Sequence, residues 1–275
     1  MRERAGSAIV FVPPLVVILV LGMPWIAIGL AILAALGARE AFRLLEAAGQ
    51  PAQHLLGVVF ATTIALEAAA PATLADKAAL LIAVGVVLAA VGTFSRRDPR
   101  EALAMWVGTV FGAVYVGQIG LVVRLGLAAP EVAAGAPLAM LGSVRAWILL
   151  LVLGVWAFDT GAYLVGRSWG RQRFLDHISP SKTYAGLIGG LVASTVVIGL
   201  VLYGLGQSPL QAVILGPLTG LAAQAGDLAE SMLKRAAGAK DASDLIPGHG
   251  GVLDRIDSFL FAAPVVTLYV VAVFR

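Results

Sequence analysis

The sequence predicts an all-α fold, a polytopic integral membrane protein of about nine transmembrane helices whose polar site lies in the C-terminal half and faces the cytoplasm. Three observations lead there. Mean hydropathy is +0.94 with only 13% charged residues, outside the soluble range. Apolar runs recur along the whole chain, most of them long enough, or nearly so, to cross about 30 Å of hydrocarbon at about 1.5 Å per residue. The runs are continuously apolar and rich in Ala, Leu and Gly, whereas the strands of a membrane barrel alternate apolar and polar over about ten residues.

The first two runs, 9–22 and 24–36, are short halves divided by "GMPW", so they form either a tight helical hairpin or one kinked element. The opening "MRERAGSAIVFVPPLVVILV" has the charged start and apolar middle of a signal peptide but no small-x-small cleavage site, and is read as a span. Next comes "GAREAFRLLEAAGQ", where Phe42, Leu44 and Leu45 adjoin Arg39, Glu40, Arg43 and Glu46, the pattern of an interfacial helix. Runs at 54–70, 78–92 and 103–123 complete a half with few intramembrane charges. Composition changes near residue 145, which divides the chain into a scaffold, 1–145, and a catalytic region, 146–275. The second part holds the runs 146–166, 184–204, 209–225 and 256–274, together with most of the polar sequence. Zero cysteines exclude disulfides, thiolate ligands and cysteine nucleophiles.

With the N-terminus inside, all of the 19 Lys and Arg residues except Lys77, Arg124, Arg145 and Arg275 fall on the inner side, as the positive-inside rule requires. Acids do not set orientation, yet only Glu67, Asp76 and Glu131 fall outside. Their clustering points to chemistry on the cytoplasmic face of the inner membrane. Glycine pairs at 108/112, 186/190 and 216/220 permit close helix approach, either within one bundle or between the copies of a homodimer.

Charge is densest in "DLAES" at 227–231, "DRIDS" at 254–258 and the polar run that joins them. On a helix, Asp227, Glu230 and Ser231 share a face with Lys234 one turn on, and Asp254, Asp257 and Ser258 do the same. Acids at the edge of a span are costly unless paired or bound to a cation. Oxygen-only ligands suit a hard cation such as magnesium, which completes its shell with water and substrate phosphate. Lys182, Lys234, Arg235, Lys240 and Arg255 can neutralise phosphate oxygens, and "PGHGG", with His249, Gly250 and Gly251, can turn backbone N–H groups toward an anion. Ser179, Pro180 and Ser181 introduce the helix after 183 beside Lys182, a second anion site. The other reading of these charges is helix-end ion pairing, Glu230 with Lys234 among them. His249 is a turn residue or a base, and Asp159, in "WAFDTGAY", is a further ligand or a structural carboxylate. No P-loop, dinucleotide fingerprint or H-E-x-x-H is present, and no nucleic-acid partner is expected.

Residues 231–258, "SMLKR" through "KDASDLIPGHGGVLDRIDS", resemble the signature of the phosphatidate cytidylyltransferases, the CDP-diacylglycerol synthases. "AQAGDLAES" and "ISPSKTYAGLIGG" extend the similarity over roughly 155–265. The resemblance implies a magnesium-dependent transfer in which the phosphate of phosphatidic acid attacks the α-phosphorus of CTP, giving CDP-diacylglycerol and pyrophosphate. Asp227, Asp254 and Asp257 look like the metal-binding acids, a set compatible with a second, monovalent cation; Lys182, Lys234, Arg235, Lys240 and Arg255 occupy the basic positions of the family's motifs. Many members have P-K-K-T followed two residues later by an acid, whereas Ser181 and Ala185 stand at those places here. A CTP-dependent polyprenol or phytol kinase is the nearest alternative, and a cation transporter using the same acids is a reading from another class.

Overall fold

The computed structural model describes residues 16–70, 77–245 and 250–274. Among them the chain is helical, and an isolated β-bridge joins Arg173 and Thr183. The helices are α1 (Trp25–Ala47), α2 (His54–Glu67), α3 (Ala78–Val91), α4 (Pro99–Gly117), α5 (Leu121–Ala128), α6 (Ser143–Trp169), α7 (Tyr184–Gly204), α8 (Ala212–Ala236) and α9 (Leu253–Val273). Six stretches are long and apolar enough to cross a membrane: α1, Pro99–Ala128, α6, α7, Pro209–Ala236 and α9. α2 and α3 are apolar but only 14 residues each. The chain is therefore a multi-pass membrane protein, with six helical stretches of full spanning length among the described residues and two of the other expected runs, 54–70 and 78–92, formed by the shorter α2 and α3. The first expected run lies mostly outside those residues, with 16–21 helical.

Packing among the described residues forms two compact units, one drawn from Met1–Gly120 and Leu233–Ile256, the other from Leu121–Met232 and Asp257–Arg275. The compositional boundary near residue 145 falls inside the second unit.

In the first unit, the expected interfacial helix is instead the continuation of α1, which runs unbroken from 25 to 47. Its apolar residues face protein: Phe42 is fully buried, and Leu44 and Leu45 nearly so. The cause is the glycines opposite, since a Cβ would lie 2.1 Å from the Phe42 ring at Gly57 and 2.4 Å at Gly112. Side chains tie the shorter helices in place. Gln53 donates its backbone N–H to the Thr109 hydroxyl oxygen at 2.8 Å and its Nε2 to the carbonyl of Ala89 at 2.7 Å. Trp106 Nε1 donates to Val86 at 3.0 Å. Such pairing is required where no water is at hand to satisfy backbone groups.

The second unit sorts its residues by size more than by polarity. α7 buries Gly186, Gly190, Ser194 and Ile198 at four-residue spacing, while Val192, Val196 and Leu200 on another face are 57–67% exposed. Lipid is as apolar as leucine, so the small residues bring backbones together and the large ones face the hydrocarbon. Phe158 of α6 lies over both Gly190 and Gly220, where a Cβ would stand 2.7 Å from its ring. Gly216 fits against Thr195, Gly186 against Ala162, and Gly108 in the first unit against Pro51. All six paired glycines are thus taken up by packing inside their own unit.

Candidate functional site

In the second unit a short connection delivers Lys182. α6 ends at Gly170, and the chain then turns back on itself, with Phe174 N–H donating to the carbonyl of Lys182 at 3.2 Å and Tyr184 N–H to that of Gln172 at 3.1 Å. Leu175 takes a left-handed conformation, φ 53°, and its carbonyl receives the N–H groups of Ile178 and Ser179 at 2.9 Å. Ser179 is buried, and its own carbonyl accepts from Lys182 N–H at 3.2 Å. Thr183 caps α7 by accepting from Gly186 N–H at 3.1 Å. Lys182 is thereby held one residue before the cap of α7, and its Nζ meets Asp227 Oδ2 at 2.5 Å, both side chains being 25% exposed. Gln224, one turn earlier on α8, donates to the same oxygen at 3.3 Å.

Asp159 of α6 lies close enough to act electrostatically on both Lys182 and Asp227. Gly226 is where α8 comes against α9: a Cβ there would stand 2.3 Å from the carbonyl oxygen of Asp257. Asp257 is buried, with Oδ1 accepting from Ser258 N–H at 2.6 Å, and Glu230 on α8 is fully buried. The sequence-predicted acids Asp227 and Asp257, with Lys182 and Asp159, therefore belong to one unit.

The first unit holds a second lysine–aspartate pair. Lys234 Nζ meets Asp254 Oδ1 at 2.6 Å, with side chains 13% and 9% exposed. The other oxygen of Asp254 accepts from Ala242 N–H at 2.9 Å and Gly251 N–H at 2.7 Å. Gly250 has φ 76°, and a Cβ on it would lie 2.7 Å from that oxygen, so glycine is needed there both for conformation and for space. The Gly251 N–H, expected to face an anion, is directed at Asp254. Arg235 donates to the carbonyl of Ala239 at 3.3 Å just past the end of α8. Lys240 and Arg255 are exposed, as is Ser181, and His249 lies outside the described residues.

Sequence reasoning missed Glu40. It is buried in α1, and its carboxylate accepts from Ser243 Oγ at 2.5 Å, Val252 N–H at 3.1 Å and Leu253 N–H at 2.7 Å. One signal was available, since Gly37, Glu40, Ala41 and Leu44 follow the i, i+3, i+4, i+7 spacing of a single buried face. Beside it lies a cavity of about 300 Å³ lined by Leu36, Arg39, Glu40, Arg43, Ser243, Asp244 and Leu245.

Two carboxylates within otherwise apolar helices are each matched by a lysine, the arrangement that makes charge tolerable at such depth. No three His, Cys, Asp or Glu side chains among the described residues form a ready metal cage. The donor chemistry nevertheless fits magnesium, which uses one or two carboxylates and fills its shell with water and phosphate. Asp227 spends only Oδ2 on protein donors among the described residues, and Asp254 Oδ1 accepts only one. A lysine freed from such a pair is a compact cation suited to phosphate oxygens.

The model of the cytidylyltransferase family matches residues 2–273 of the chain. A Synechocystis protein named phosphatidate cytidylyltransferase is 32% identical over 290 aligned positions, covering 98% of this chain and 96% of that protein. The chloroplastic phosphatidate cytidylyltransferase 4 of Arabidopsis thaliana is 39% identical over 68% of this chain and 49% of its own length. A phosphatidate cytidylyltransferase of Staphylococcus aureus is 42% identical over 46% of this chain and 49% of its own.

Proposed function

The chain belongs to the cytidylyltransferase family, and from that premise we propose that it condenses CTP with phosphatidic acid to give CDP-diacylglycerol and pyrophosphate. The observation that carries the reading is the pair of lysine–aspartate contacts, Lys182 with Asp227 and Lys234 with Asp254, within the family's own motif segments.

A phosphate oxygen of phosphatidic acid attacks the α-phosphorus of CTP. The new P–O bond forms as the bond to the bridging oxygen of the β-phosphate breaks, and pyrophosphate leaves with that electron pair. No strong base is needed, because the second ionisation of a phosphate monoester lies near pH ~6. The obstacle is electrostatic, since both reactants are anions and the transition state concentrates their charge. Lys182 and Lys234 are the cations that relieve it, each held in place by its aspartate until phosphate competes for it. Arg235, Lys240 and Arg255 add exposed positive charge for the polyphosphate, and Ser179 sets the turn that holds Lys182. Magnesium, for which Asp227, Asp254 and Asp257 are the candidate ligands, would neutralise the polyphosphate further and draw charge from the leaving group. Gly250 and Gly251 let the backbone approach Asp254 closely.

Purified protein supplied with CTP, magnesium and phosphatidic acid is expected to form CDP-diacylglycerol with stoichiometric pyrophosphate, and chelation to stop it. CDP formation with an isoprenoid alcohol, and no lipid nucleotide from phosphatidic acid, would transfer the assignment to a lipid kinase.

One substrate arrives by lateral diffusion in the bilayer and the other from the cytoplasm, so the reaction calls for a membrane–water boundary. The bias of Lys and Arg assigns 167–183 and 226–255 to the cytoplasmic side of the inner membrane. The chain has no cysteine of its own. Single cysteines at the exposed positions Ser181 and Asp244 are therefore expected to react with an impermeant thiol reagent in inverted vesicles and not in intact cells. Labelling from outside intact cells would reverse the orientation.

A further inference from the structure

We propose that Glu40, a residue of α1, is a positioning residue for the reaction: it clamps Ser243, Val252 and Leu253 so that Asp254 is presented in register with Lys234. The inference rests on the assignment of Asp254 and Lys234 to catalysis.

Glu40 is 3% exposed, and all three of its hydrogen-bond donors come from a segment 203–213 residues further along the chain. Ser243 and Val252 bind one oxygen and Leu253 the other. Asp254 holds the same segment from within, through Ala242 and Gly251 N–H. The two carboxylates therefore grip alternate residues, Asp254 taking 242 and 251, Glu40 taking 243, 252 and 253. Gly251 completes the fit, since a Cβ there would stand 2.5 Å from Glu40 Oε2. A carboxylate satisfied only by donors forms charge-assisted bonds, stronger than neutral ones. Two of those donors are backbone groups at the start of α9, which lack partners inside the helix and favour a negative charge beside them. A structural anchor could be built from apolar side chains at lower desolvation cost. A charged clamp joined through residues 251–253 to Asp254 instead fixes the direction in which that acid points.

Glu40→Gln tests this because it keeps the shape while replacing one acceptor oxygen by an NH₂ that must face a donor. Turnover per folded molecule is expected to fall about thirtyfold, the equivalent of one lost charge-assisted bond at a tenfold change per 1.4 kcal/mol. The magnesium concentration for half-maximal rate is expected to rise, with KM for phosphatidic acid within about threefold of wild type. In metal-free and substrate-free protein, the amides of Val252 and Leu253 are expected to exchange with deuterium at least about tenfold faster. Ser243→Ala removes one of the three donors and is expected to cost about threefold, non-additively with Glu40→Gln because both act through one carboxylate.

Wild-type turnover per folded molecule in Glu40→Gln would overturn the proposal, as would a loss explained wholly by a smaller folded fraction. If Glu40→Gln does not yield folded protein, Ser243→Ala decides: reduced turnover with faster exchange at Val252 supports the clamp, and unchanged turnover overturns it. Failure of the wild-type protein to make CDP-diacylglycerol would count against the proposed function and remove the catalytic role claimed for the clamp. Wild-type activity that is indifferent to both variants would count against the clamp alone.

Discussion

Asp254→Asn is expected to lower turnover about a thousandfold, roughly 4 kcal/mol of transition-state stabilisation at 1.4 kcal/mol per decade. Asparagine keeps the size of the side chain but has one acceptor where three donors wait: Lys234 on one oxygen, Ala242 and Gly251 N–H on the other. In either orientation its NH₂ faces a donor. Whichever way it faces, the Lys234 ammonium loses the Asp254 charge in a site where the pair is 13% and 9% exposed. Breaking a buried pair by removing one partner commonly costs about 3–5 kcal/mol. Part of that loss falls on stability, so turnover must be normalised to folded protein by melting temperature and gel filtration. Near-normal turnover at low magnesium in the folded variant would remove Asp254 from the reaction.

Lys182→Met is expected to reduce kcat/KM for CTP by at least about a hundredfold while the protein stays folded. Methionine retains the unbranched stem and removes only the ammonium that meets Asp227 at 2.5 Å. That pair is a quarter exposed on both sides, so its share of folding stability is modest, and the loss falls on the reaction rather than on the fold. Lys182→Arg keeps the charge but replaces a compact cation with a planar fork, so partial recovery is the expected result. Steady-state kinetics over CTP and phosphatidic acid read the effect. An unchanged kcat/KM in Lys182→Met would mean that the Asp227 contact serves packing alone.

Much of this was legible in the chain itself. Hydropathy and the continuous apolar runs give an all-helical membrane protein because in lipid only helices and closed barrels satisfy the backbone's polar groups, and barrel strands alternate apolar and polar. Lys182, Asp227, Lys234 and Asp254 stood out as charges at the edges of such runs. Their pairing did not: Lys234 follows Asp227 and Glu230 on one helix, yet the contact at 2.6 Å is with Asp254, twenty residues on, brought back by the loop between α8 and α9. No spacing rule reports a contact that a loop creates. The stretch 37–50 misled for a different reason. Alternating charges suggested a membrane surface, but without a breaker after residue 25 the helix simply continues, and the glycines that receive Phe42 lie on other helices. Glu40 was hidden among those charges, although its spacing with Gly37, Ala41 and Leu44 marks it as inward-facing.

Where the label of CTP goes decides what these residues do. Purified protein is given CTP labelled at either the α- or the γ-phosphate, with magnesium and phosphatidic acid, and the lipid and aqueous phases are separated. A cytidylyltransferase is expected to send the α-label into the lipid as CDP-diacylglycerol and the γ-label into the water as pyrophosphate, with both transfers lost in Asp254→Asn. Passage of the γ-label into lipid with the α-label left in CDP, or full transfer by folded Asp254→Asn, would contradict it.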